Sequence, residues 1–204
     1  MNARPPRIGV LAIQGDVGEH VAALERAGAL ARPVKTRPHL DAVEGLVIPG
    51  GESTTVVRLL ARFGLADPIR ARVRAGMPLW GTCMGMIVAA REVVGSPQPT
   101  LGLLDVAVRR NAFGRQSESA EVELDVAALG SRPFPAVFIR APWVERAGSS
   151  VDVLASLDGH GVLVRQGNVL GSSFHPELTG DGRLHGYFVE MVRAAKIGKR
   201  TTAA

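Results

Sequence analysis

The sequence contains one cysteine, Cys83, in 204 residues. A single cysteine cannot form an internal disulfide or supply a cysteine-based metal cluster, and a free thiol is typical of a reducing compartment. Long apolar runs are also missing, since no segment approaches the roughly 18 to 20 apolar residues that span a bilayer. The apolar run at residues 8–13 is too short for the core of a signal peptide. We therefore expect a cytoplasmic protein without a membrane partner.

Lysine is scarce, occurring only at Lys35, Lys196 and Lys199, so arginine carries nearly all of the positive charge behind the net charge of +5. A basic balance is compatible with nucleic-acid binding. The densest basic run, residues 70–74, has no interleaved aromatic residues that could stack on bases. The pattern therefore favours a solvated helix face, and no nucleic-acid partner is expected.

The composition is that of an ordinary globular protein, with 46% hydrophobic and 21% charged residues. A chain of this length suits one α/β domain with a sizeable core. No internal repeat or long linker divides it. We therefore predict one domain over residues 1–204, in which residues 196–204 form a frayed polar tail.

Strand-like and helical segments alternate over the first 93 residues. Apolar runs predict strands at 7–13, 31–34, 45–48 and 77–80, and helical spacing predicts helices at 17–27, 55–63 and 86–91, with a connector at 39–43. This alternation predicts a three-layer α/β fold with a mostly parallel central sheet between helices. Sites in such sheets form at the carboxyl ends of the strands.

The pattern changes after a Gly- and Pro-rich segment at residues 95–99. The dipeptides Asp158-Gly159 and Gly167-Asn168 are hairpin signals, so we expect antiparallel strands in this half of the chain. A final helix is predicted at residues 183–195. The predicted strands lie at 103–108, 120–124, 136–139, 151–157, 161–165 and 169–174.

The segment Gly81-Thr82-Cys83-Met84-Gly85 lies between a predicted strand and a predicted helix. Gly-x-Cys-x-Gly is the thiol version of the nucleophile elbow, in which flanking glycines permit a strained turn that exposes the central side chain. The backbone N–H of Met84 would point to where an oxyanion could form. The pentapeptide alone fits a buried structural cysteine equally well.

A cysteine nucleophile needs a base and a group that orients the base. His175 ends a predicted apolar strand, and Pro176 separates it from Glu177, a spacing that lets the carboxylate turn back toward the imidazole. Taken alone, His-Pro-Glu also fits a polar cluster at a strand end. The other four histidines are better explained as surface or structural residues: His20, His39, His160 and His185.

Together these motifs resemble the class I glutamine amidotransferases that use a Cys-His-Glu triad. The resemblance is closest to the family of glutaminase subunits of pyridoxal 5'-phosphate synthase, and it covers nearly the whole chain. The segments that carry it are Leu11-Ala12-Ile13-Gln14-Gly15, Pro49-Gly50-Gly51-Glu52-Ser53-Thr54-Thr55, the elbow, Arg110-Asn111-Ala112-Phe113-Gly114-Arg115-Gln116, Phe138-Ile139-Arg140-Ala141-Pro142 and His175-Pro176-Glu177.

The resemblance implies a catalytic role for three residues. Cys83 attacks the side-chain amide of glutamine, His175 carries the proton to the leaving ammonia, and Glu177 orients the imidazole. It also implies an oxyanion hole formed by Gly51 and the N–H of Met84, because a Gly-Gly pair presents backbone donors without a Cβ in the way.

The resemblance further implies a substrate-binding wall. Glu52 and Ser53 continue it from the glycine pair, while Arg110 and Arg140, with the backbone of Ile139, recognise the substrate. A guanidinium suits a carboxylate because it donates two parallel hydrogen bonds. Without the surrounding motif, each arginine fits a surface ion pair equally well.

The implied activity is hydrolysis of L-glutamine to L-glutamate and ammonia through a Cys83 thioester, without a metal or cofactor. The implied partner is the synthase subunit of pyridoxal 5'-phosphate synthase, bound as a hetero-oligomer. Met84 departs from the small residue expected in the elbow, although its backbone N–H is retained. Gln14 and Gly15 are expected near the site, where they could contact the partner.

Two alternatives share some of these residues. A triad glutaminase of another amidotransferase has the cysteine and His-Pro-Glu, but is not expected to have the Arg-Asn-x-Phe-Gly-Arg-Gln segment at residues 110–116. A non-catalytic binding or regulatory subunit can also have this fold. A thiol stress protein with a similar elbow gives no reason for His-Pro-Glu.

Overall fold

The computed structural model describes residues 4–112 and 119–202. Its strands are β1 Arg7–Leu11, β2 Leu30–Val34, β3 Gly45–Ile48, β4 Leu79–Thr82, β5 Ala90–Val93, β6 Leu104–Arg109, β7 Ser119–Leu124, β8 Phe134–Ile139, β9 Trp143–Ala147, β10 Asp152–Leu157, β11 His160–Gln166 and β12 Val169–Ser172. Its helices are α1 Val17–Arg26, α2 Arg37–Asp41, α3 Ser53–Arg62, α4 Ala66–Arg74, α5 Met84–Ala89 and α6 Arg183–Thr202. Short 3-10 turns lie at Ala127–Leu129 and Pro176–Leu178.

One large sheet organises the described part of the chain, with neighbouring strands in the order β2, β1, β3, β4, β12, β11, β9, β6, β5. The strands from β2 to β12 in this order are parallel. From β12 to β6 the neighbours are antiparallel, and β10 pairs with β11. A separate hairpin joins β7 and β8. The α/β class, the mostly parallel sheet and the antiparallel C-terminal half are therefore confirmed.

Both predicted hairpin turns connect antiparallel strands. Leu157 of β10 pairs with His160 of β11 across Asp158 and Gly159, which have positive φ angles of 51° and 79°. Positive φ at both central residues is what a two-residue hairpin turn with the native strand twist requires. The second turn, at Gly167 and Asn168, connects β11 to β12. The second turn thus places β12 directly beside β11, in the middle of the sheet.

The strand β3 shows how the sheet separates two apolar clusters. Leu46 and Ile48 lie in one cluster with Leu60 of α3, and Val47 lies in the other with Phe188 of α6. All five side chains are fully buried. Burial of each contributes about 1.5–3 kcal/mol relative to exposure. A strand buried on both faces explains the continuous apolar run in the sequence.

Four helices and strands are additions to the predicted segments: α2, α4, β5 and β9, although a helix face was expected at residues 70–74 of α4. In β9 only Val144 is buried, so that strand has no apolar run to reveal it. The helix α2 begins after Thr36, whose side chain accepts a hydrogen bond from the His39 N–H at 3.5 Å. Its five residues are too few to show a helical period.

Several predicted boundaries also move, among them those of β1 and α6. The strand β1 ends at Leu11 because the chain turns at Gln14 and Gly15, where φ is 107° at the glycine. The helix α6 continues past its predicted end at residue 195 to Thr202. None of the helices that the structure describes is both long enough and apolar enough to cross a membrane.

The basic run at residues 70–74 lies on α4 and is less solvated than predicted. Arg70 donates to the backbone oxygen of Leu101 at 3.0 Å, and Arg72 donates to the backbone oxygens of Val43, at 2.6 Å, and Leu40. These two arginines tie α4 to neighbouring loops.

Candidate active site

The elbow has the predicted order of strand, sharp turn and helix. Cys83 follows β4 directly and has φ 49° and ψ −109°, a backbone conformation that is costly for a residue with a Cβ. A Cβ on Gly81 would overlap the backbone of Gly85, and a Cβ on Gly85 would overlap the backbone oxygen of Ile48. The two glycines are therefore required by close backbone packing around the strained turn.

His175 reaches the elbow from the end of β12. The parallel register pairs Thr82 with Ser172, and the Cys83 N–H donates to the Ser172 backbone oxygen at 2.7 Å. The His175 N–H donates to the backbone oxygen of Val137 on β8 at 2.8 Å. Two adjacent strands and a hairpin therefore fix the imidazole beside the sulfur.

Glu177 turns back onto the imidazole through the 3-10 turn at Pro176–Leu178. Its Oε1 lies 2.7 Å from His175 Nδ1, and both residues are only 6% exposed. A contact of this length between an imidazole and a carboxylate is a charge-assisted hydrogen bond. The structure thus brings Cys83, His175 and Glu177 together.

The electrostatics of His175 reflect this arrangement. Burial by itself lowers the pKa of His175, because it removes water from the charged imidazolium. Hydrogen bonding with Cys83 and Glu177, and the negative charge on both groups, outweigh burial and raise the pKa to about 10. The site therefore favours a protonated His175 held by the Glu177 carboxylate.

The glycine pair after β3, Gly50 and Gly51, lies against the imidazole of His175. A Cβ on Gly50 would overlap Cε1 of His175, so the imidazole packs directly on the glycine backbone. Gly51 has a φ of 146°, a conformation that side chains rarely adopt. The side chain of Gln14 lies against this loop, and its Oε1 accepts a hydrogen bond from the Glu52 N–H at 3.3 Å. Gln14 therefore belongs to the site.

Glu52 caps α3. Its side chain accepts hydrogen bonds from the Thr55 N–H at 2.6 Å and the Thr54 N–H at 3.0 Å. A hydrogen bond from the Thr55 side chain is the largest cause that lowers the pKa of Glu52 to about 2, and the two backbone N–H groups also lower it. Arg110 approaches the same carboxylate, with 3.5 Å between its Nη2 and Oε1. Glu52 is therefore an ionised, oriented carboxylate at the rim of the site.

Three donors converge on one oxygen of Gln98. Its Oε1 accepts hydrogen bonds from Ser53 Oγ and Thr54 Oγ1, both at 3.1 Å, and from Arg110 Nη1 at 3.2 Å. Ser53 is only 1% exposed, so its hydroxyl faces Gln98. Gln98 was not predicted, because the sequence marks it only as part of a segment flanked by prolines.

The remaining predicted residues lie on two loops. The backbone oxygen of Ile139, at the end of β8, lies 3.8 Å from Cys83 Sγ. Arg140 follows with a positive φ of 45° and an exposed side chain. Ala112, after Arg110, donates its N–H to the Ala141 oxygen at 3.0 Å and so links the two loops. The residues Phe113, Gly114, Arg115 and Gln116 of the predicted motif lie outside the described residues.

Three further polar residues lie behind Glu177, and sequence reasoning did not assign them to the site. His20 and His185, predicted to be surface or structural residues, are fully buried, as is Thr82. His20 Nε2 lies 3.3 Å from Glu177 Oε2. Helical spacing is the sequence signal that indicates the burial of His20, since this residue shares the buried face of α1 with Ala23 and Leu24.

Within the described residues, one group of side chains has the proximity of metal ligands: Asp16, His175 and Glu177, whose ligand atoms lie within 4.8 Å of one another. Asp16 is exposed, and the other two residues already bind each other. A cation there would compete with the contact between the imidazole and the carboxylate.

Residues 10–194 match the SNO glutamine amidotransferase family. The chain is 59% identical over 191 residues to the pyridoxal 5'-phosphate synthase subunit PdxT of Streptomyces avermitilis, covering 93% of this chain and 95% of the relative. The subunit of the same name from Frankia casuarinae is 55% identical over 196 residues, covering 95% and 98%.

The fold also matches solved structures. A crystal structure of a glutamine amidotransferase superposes with a TM-score of 0.87 at 53% identity and covers 91% of this chain and 98% of that chain. The structure of PurLQS from Thermotoga maritima has a TM-score of 0.62 at 20% identity, with coverage of 97% and 99%. The second likeness shows the fold alone.

The raised pKa of His175 predicts how stability depends on pH. The folded state holds this proton more tightly than the unfolded chain, so the stabilisation is complete below the ordinary value of 6.5 and is lost as the pH rises through about 10. The difference in unfolding free energy between the wild type and His175→Gln should be largest near about pH 6 and should shrink toward about pH 10. Urea unfolding over this pH range measures it, and a difference that grows with pH would contradict the assignment.

The contact between Gly50 and His175 predicts that a single methyl group disturbs the site. Gly50→Ala should displace the imidazole and slow alkylation of Cys83 by iodoacetamide about 100-fold at neutral pH. Gly18→Ala is the matched control, because a Cβ there has no heavy atom within 4 Å. Equal alkylation rates in both variants would show that the imidazole does not depend on the glycine.

Proposed function

This chain belongs to the SNO glutamine amidotransferase family, and from that membership we propose that it is the glutaminase subunit of a pyridoxal 5'-phosphate synthase. It hydrolyses L-glutamine to L-glutamate and ammonia, and the ammonia is used in vitamin B6 biosynthesis. The observation that carries the proposal is the 2.7 Å contact of His175 with Glu177 at the sheet edge where Cys83 follows the neighbouring strand. Residues 1–204 form one glutaminase domain in this proposal.

The first half of the reaction forms a thioester. The Cys83 sulfur, as the thiolate paired with the protonated His175, attacks the side-chain amide carbon of glutamine. His175 then gives its proton to the amide nitrogen as the carbon–nitrogen bond breaks, and ammonia leaves. Glu177 holds the imidazole in one orientation and stabilises its positive charge.

The second half releases glutamate. A water molecule attacks the thioester carbon, and His175, now neutral, removes a proton from that water. The carbon–sulfur bond breaks, which returns the thiolate and the imidazolium. Glutamine and water are therefore converted to glutamate and ammonia, without a metal or cofactor in any step.

The oxyanion formed in both halves needs backbone donors, and this proposal assigns that role to the N–H groups of Gly51 and Met84. Met84 is the first residue of α5, and the terminal methyl carbon of its side chain lies 3.5 Å from where a Cβ on Gly51 would be. The long Met84 side chain packs toward the glycine loop, while its N–H stays in the elbow. In this proposal the Gly50-Gly51 peptide, which has no side chains to restrict it, is the switch that aligns its donor when the partner docks.

In this proposal the residues at the rim of the site recognise the substrate. Arg110 and Arg140 receive the α-carboxylate, Glu52 and Ser53 continue the wall, and the backbone of Ile139 lies beside the sulfur. Because Glu52 is ionised and held by its cap, it offers a fixed negative charge for a cationic group. Its position suits the α-ammonium of glutamine.

The partner is the synthase subunit, which receives the ammonia in a hetero-oligomer. Relatives at 55–59% identity carry the name of a pyridoxal 5'-phosphate synthase subunit. Ammonia released into neutral water becomes mostly ammonium, which is not a nucleophile, so direct transfer between docked subunits is required. A cytoplasmic location suits a free, reactive thiol.

The proposal predicts activity that depends on both the triad and the partner. Glutamate release should be fast when the chain is mixed with the synthase subunit and slow in its absence, and Cys83→Ala should reduce the rate at least about 10⁴-fold. Glu177→Gln should reduce kcat about 10²–10⁴-fold, because the imidazolium loses its anionic partner. Glutamine-dependent formation of pyridoxal 5'-phosphate is the second readout.

His39→Gln is a control, because His39 is exposed and lies on α2. It should retain the wild-type rate. A wild-type mixture that hydrolyses glutamine but forms no pyridoxal 5'-phosphate would indicate a different acceptor enzyme. No hydrolysis with or without the partner would indicate a non-catalytic subunit.

A further inference from the structure

Glu177 is bounded by an imidazole on each side. Its Oε1 lies 2.7 Å from His175 Nδ1, and its Oε2 lies 3.3 Å from His20 Nε2. The side chains of Glu177 and His20 are both fully buried. The mechanism uses His175 and leaves His20 without a role. A buried carboxylate needs a donor for each oxygen, so the second imidazole requires an explanation.

His20 is neutral in this environment. Burial, and then the proximity of His185 and His175, hold the pKa of His20 well below its ordinary value. Burial also lowers the pKa of His185 to about 4. A neutral imidazole has one donor nitrogen and one acceptor nitrogen, so each ring can donate in only one direction.

The neighbours determine which nitrogen donates. His20 Nδ1 lies 3.2 Å from His185 Nε2, while His20 Nε2 faces Thr82 Oγ1 at 3.2 Å and the Glu177 carboxylate. An ionised carboxylate only accepts, so the proton of His20 belongs on Nε2. His20 Nδ1 then accepts from His185 Nε2–H. The unpartnered Nδ1 of His185 is left as a bare acceptor, which costs less than a buried N–H without a partner.

The geometry of Oε2 shows why this donor matters. Glu177 Oε2 is buried and forms no hydrogen bond of standard geometry with the described residues, and the His20 N–H is directed more toward Thr82. Both acceptors are nonetheless within reach of the same N–H, because His20 Nε2 lies 3.2 Å from Thr82 Oγ1 and 3.3 Å from Glu177 Oε2. Packing restricts motion of the ring, since Trp80 lies edge-on to both histidines, at centroid distances of 5.8 Å and 5.0 Å.

The geometry points to His20 as a positioning residue for Glu177, with His185 fixing the tautomer in which His20 donates. His20 faces one oxygen of the carboxylate, Oε2, and His175 faces the other, Oε1. Its donor keeps the carboxylate oriented toward His175 as the imidazolium forms. Because His20 is neutral, it does not compete with His175 for the role of the cation. This inference rests on the proposed function only for its kinetic readout.

The first test compares three variants that differ in the donor they retain. His20→Gln keeps an N–H near the position of Nε2, His20→Asn keeps a polar group near Nδ1 only, and His20→Leu keeps neither. In the complex with the synthase subunit, kcat for glutamine hydrolysis should fall about 10–100-fold in the Asn and Leu variants with little change in KM, the range typical of residues that orient a reacting group. His20→Gln should recover most of the activity.

The second test uses the isolated chain and does not require turnover. The ring signals of His175, followed by NMR over pH, should titrate at lower pH in His20→Leu and His20→Asn than in the wild type. The reason is that a loosely held Glu177 stabilises the imidazolium less. His20→Gln should titrate like the wild type. The other titratable and charged groups are the same in every variant. Cys83, Glu177 and Asp16 lie around His175. His185 and Glu177 lie around position 20, and Arg26 lies near His185.

Thermal unfolding separates positioning from packing. Wild-type kinetics and wild-type titration in His20→Asn would overturn the inference. It would also be overturned if all three variants, including His20→Gln, were equally impaired and equally destabilised, because His20 would then be a packing residue. If His20→Leu does not fold, the contrast between Asn and Gln decides the question. If the wild type hydrolyses no glutamine, the proposed function fails, and the titration still tests the positioning of Glu177.

Discussion

The parallel pairing of β4 with β12 is the constraint on which the site depends. The two strands are far apart in the chain, yet their register places Thr82 beside Ser172. Cys83 and His175 therefore leave the sheet at the same edge. The Cys83 N–H bonds to the Ser172 oxygen at 2.7 Å, so the strained turn is attached directly to the strand that carries the histidine. A shift in this register would move the sulfur and the imidazole apart together with the strands.

Close backbone packing at the glycines brings the ends of these strands together. Gly85 packs on the backbone of Ile48, and Gly50 packs on the imidazole, so the ends of β3, β4 and β12 meet without a side chain between them. The charges are then arranged among buried residues. The protonated His175 lies beside the Glu177 carboxylate, and two histidines whose pKa values are lowered by burial lie on the other side of it. The fold thus holds one positive charge where the reaction needs a proton donor.

Much of this could be predicted from the sequence, because the informative signals are local. The elbow is visible as two glycines around Cys83, and the hairpin turns are visible as Asp158-Gly159 and Gly167-Asn168. The chemical pairing of His175 with Glu177 follows from their spacing around a proline. Only the resemblance to a family predicted that these segments meet in one site. Spacing alone does not specify which strands become neighbours.

The features that were missed depend on tertiary contacts. Gln98 gathers three donors from two different segments, and its own neighbours in the sequence give no sign of that. Glu52 was assigned to the substrate wall, and its additional role as the cap of α3 appears only in the geometry. His20 lies on the apolar face of α1, a position typical of a core histidine. Its significance comes from the carboxylate that another part of the chain brings to it.

The central claim is that Cys83, His175 and Glu177 act as one unit, and covalent trapping tests it most directly. A diazo-ketone analogue of glutamine, added to the complex with the synthase subunit, should modify only Cys83, as located by peptide mass spectrometry. Modification should be lost in His175→Ala and strongly slowed in Glu177→Gln. Modification of His175→Ala at the wild-type rate would contradict the account, because the sulfur would then react without its imidazole.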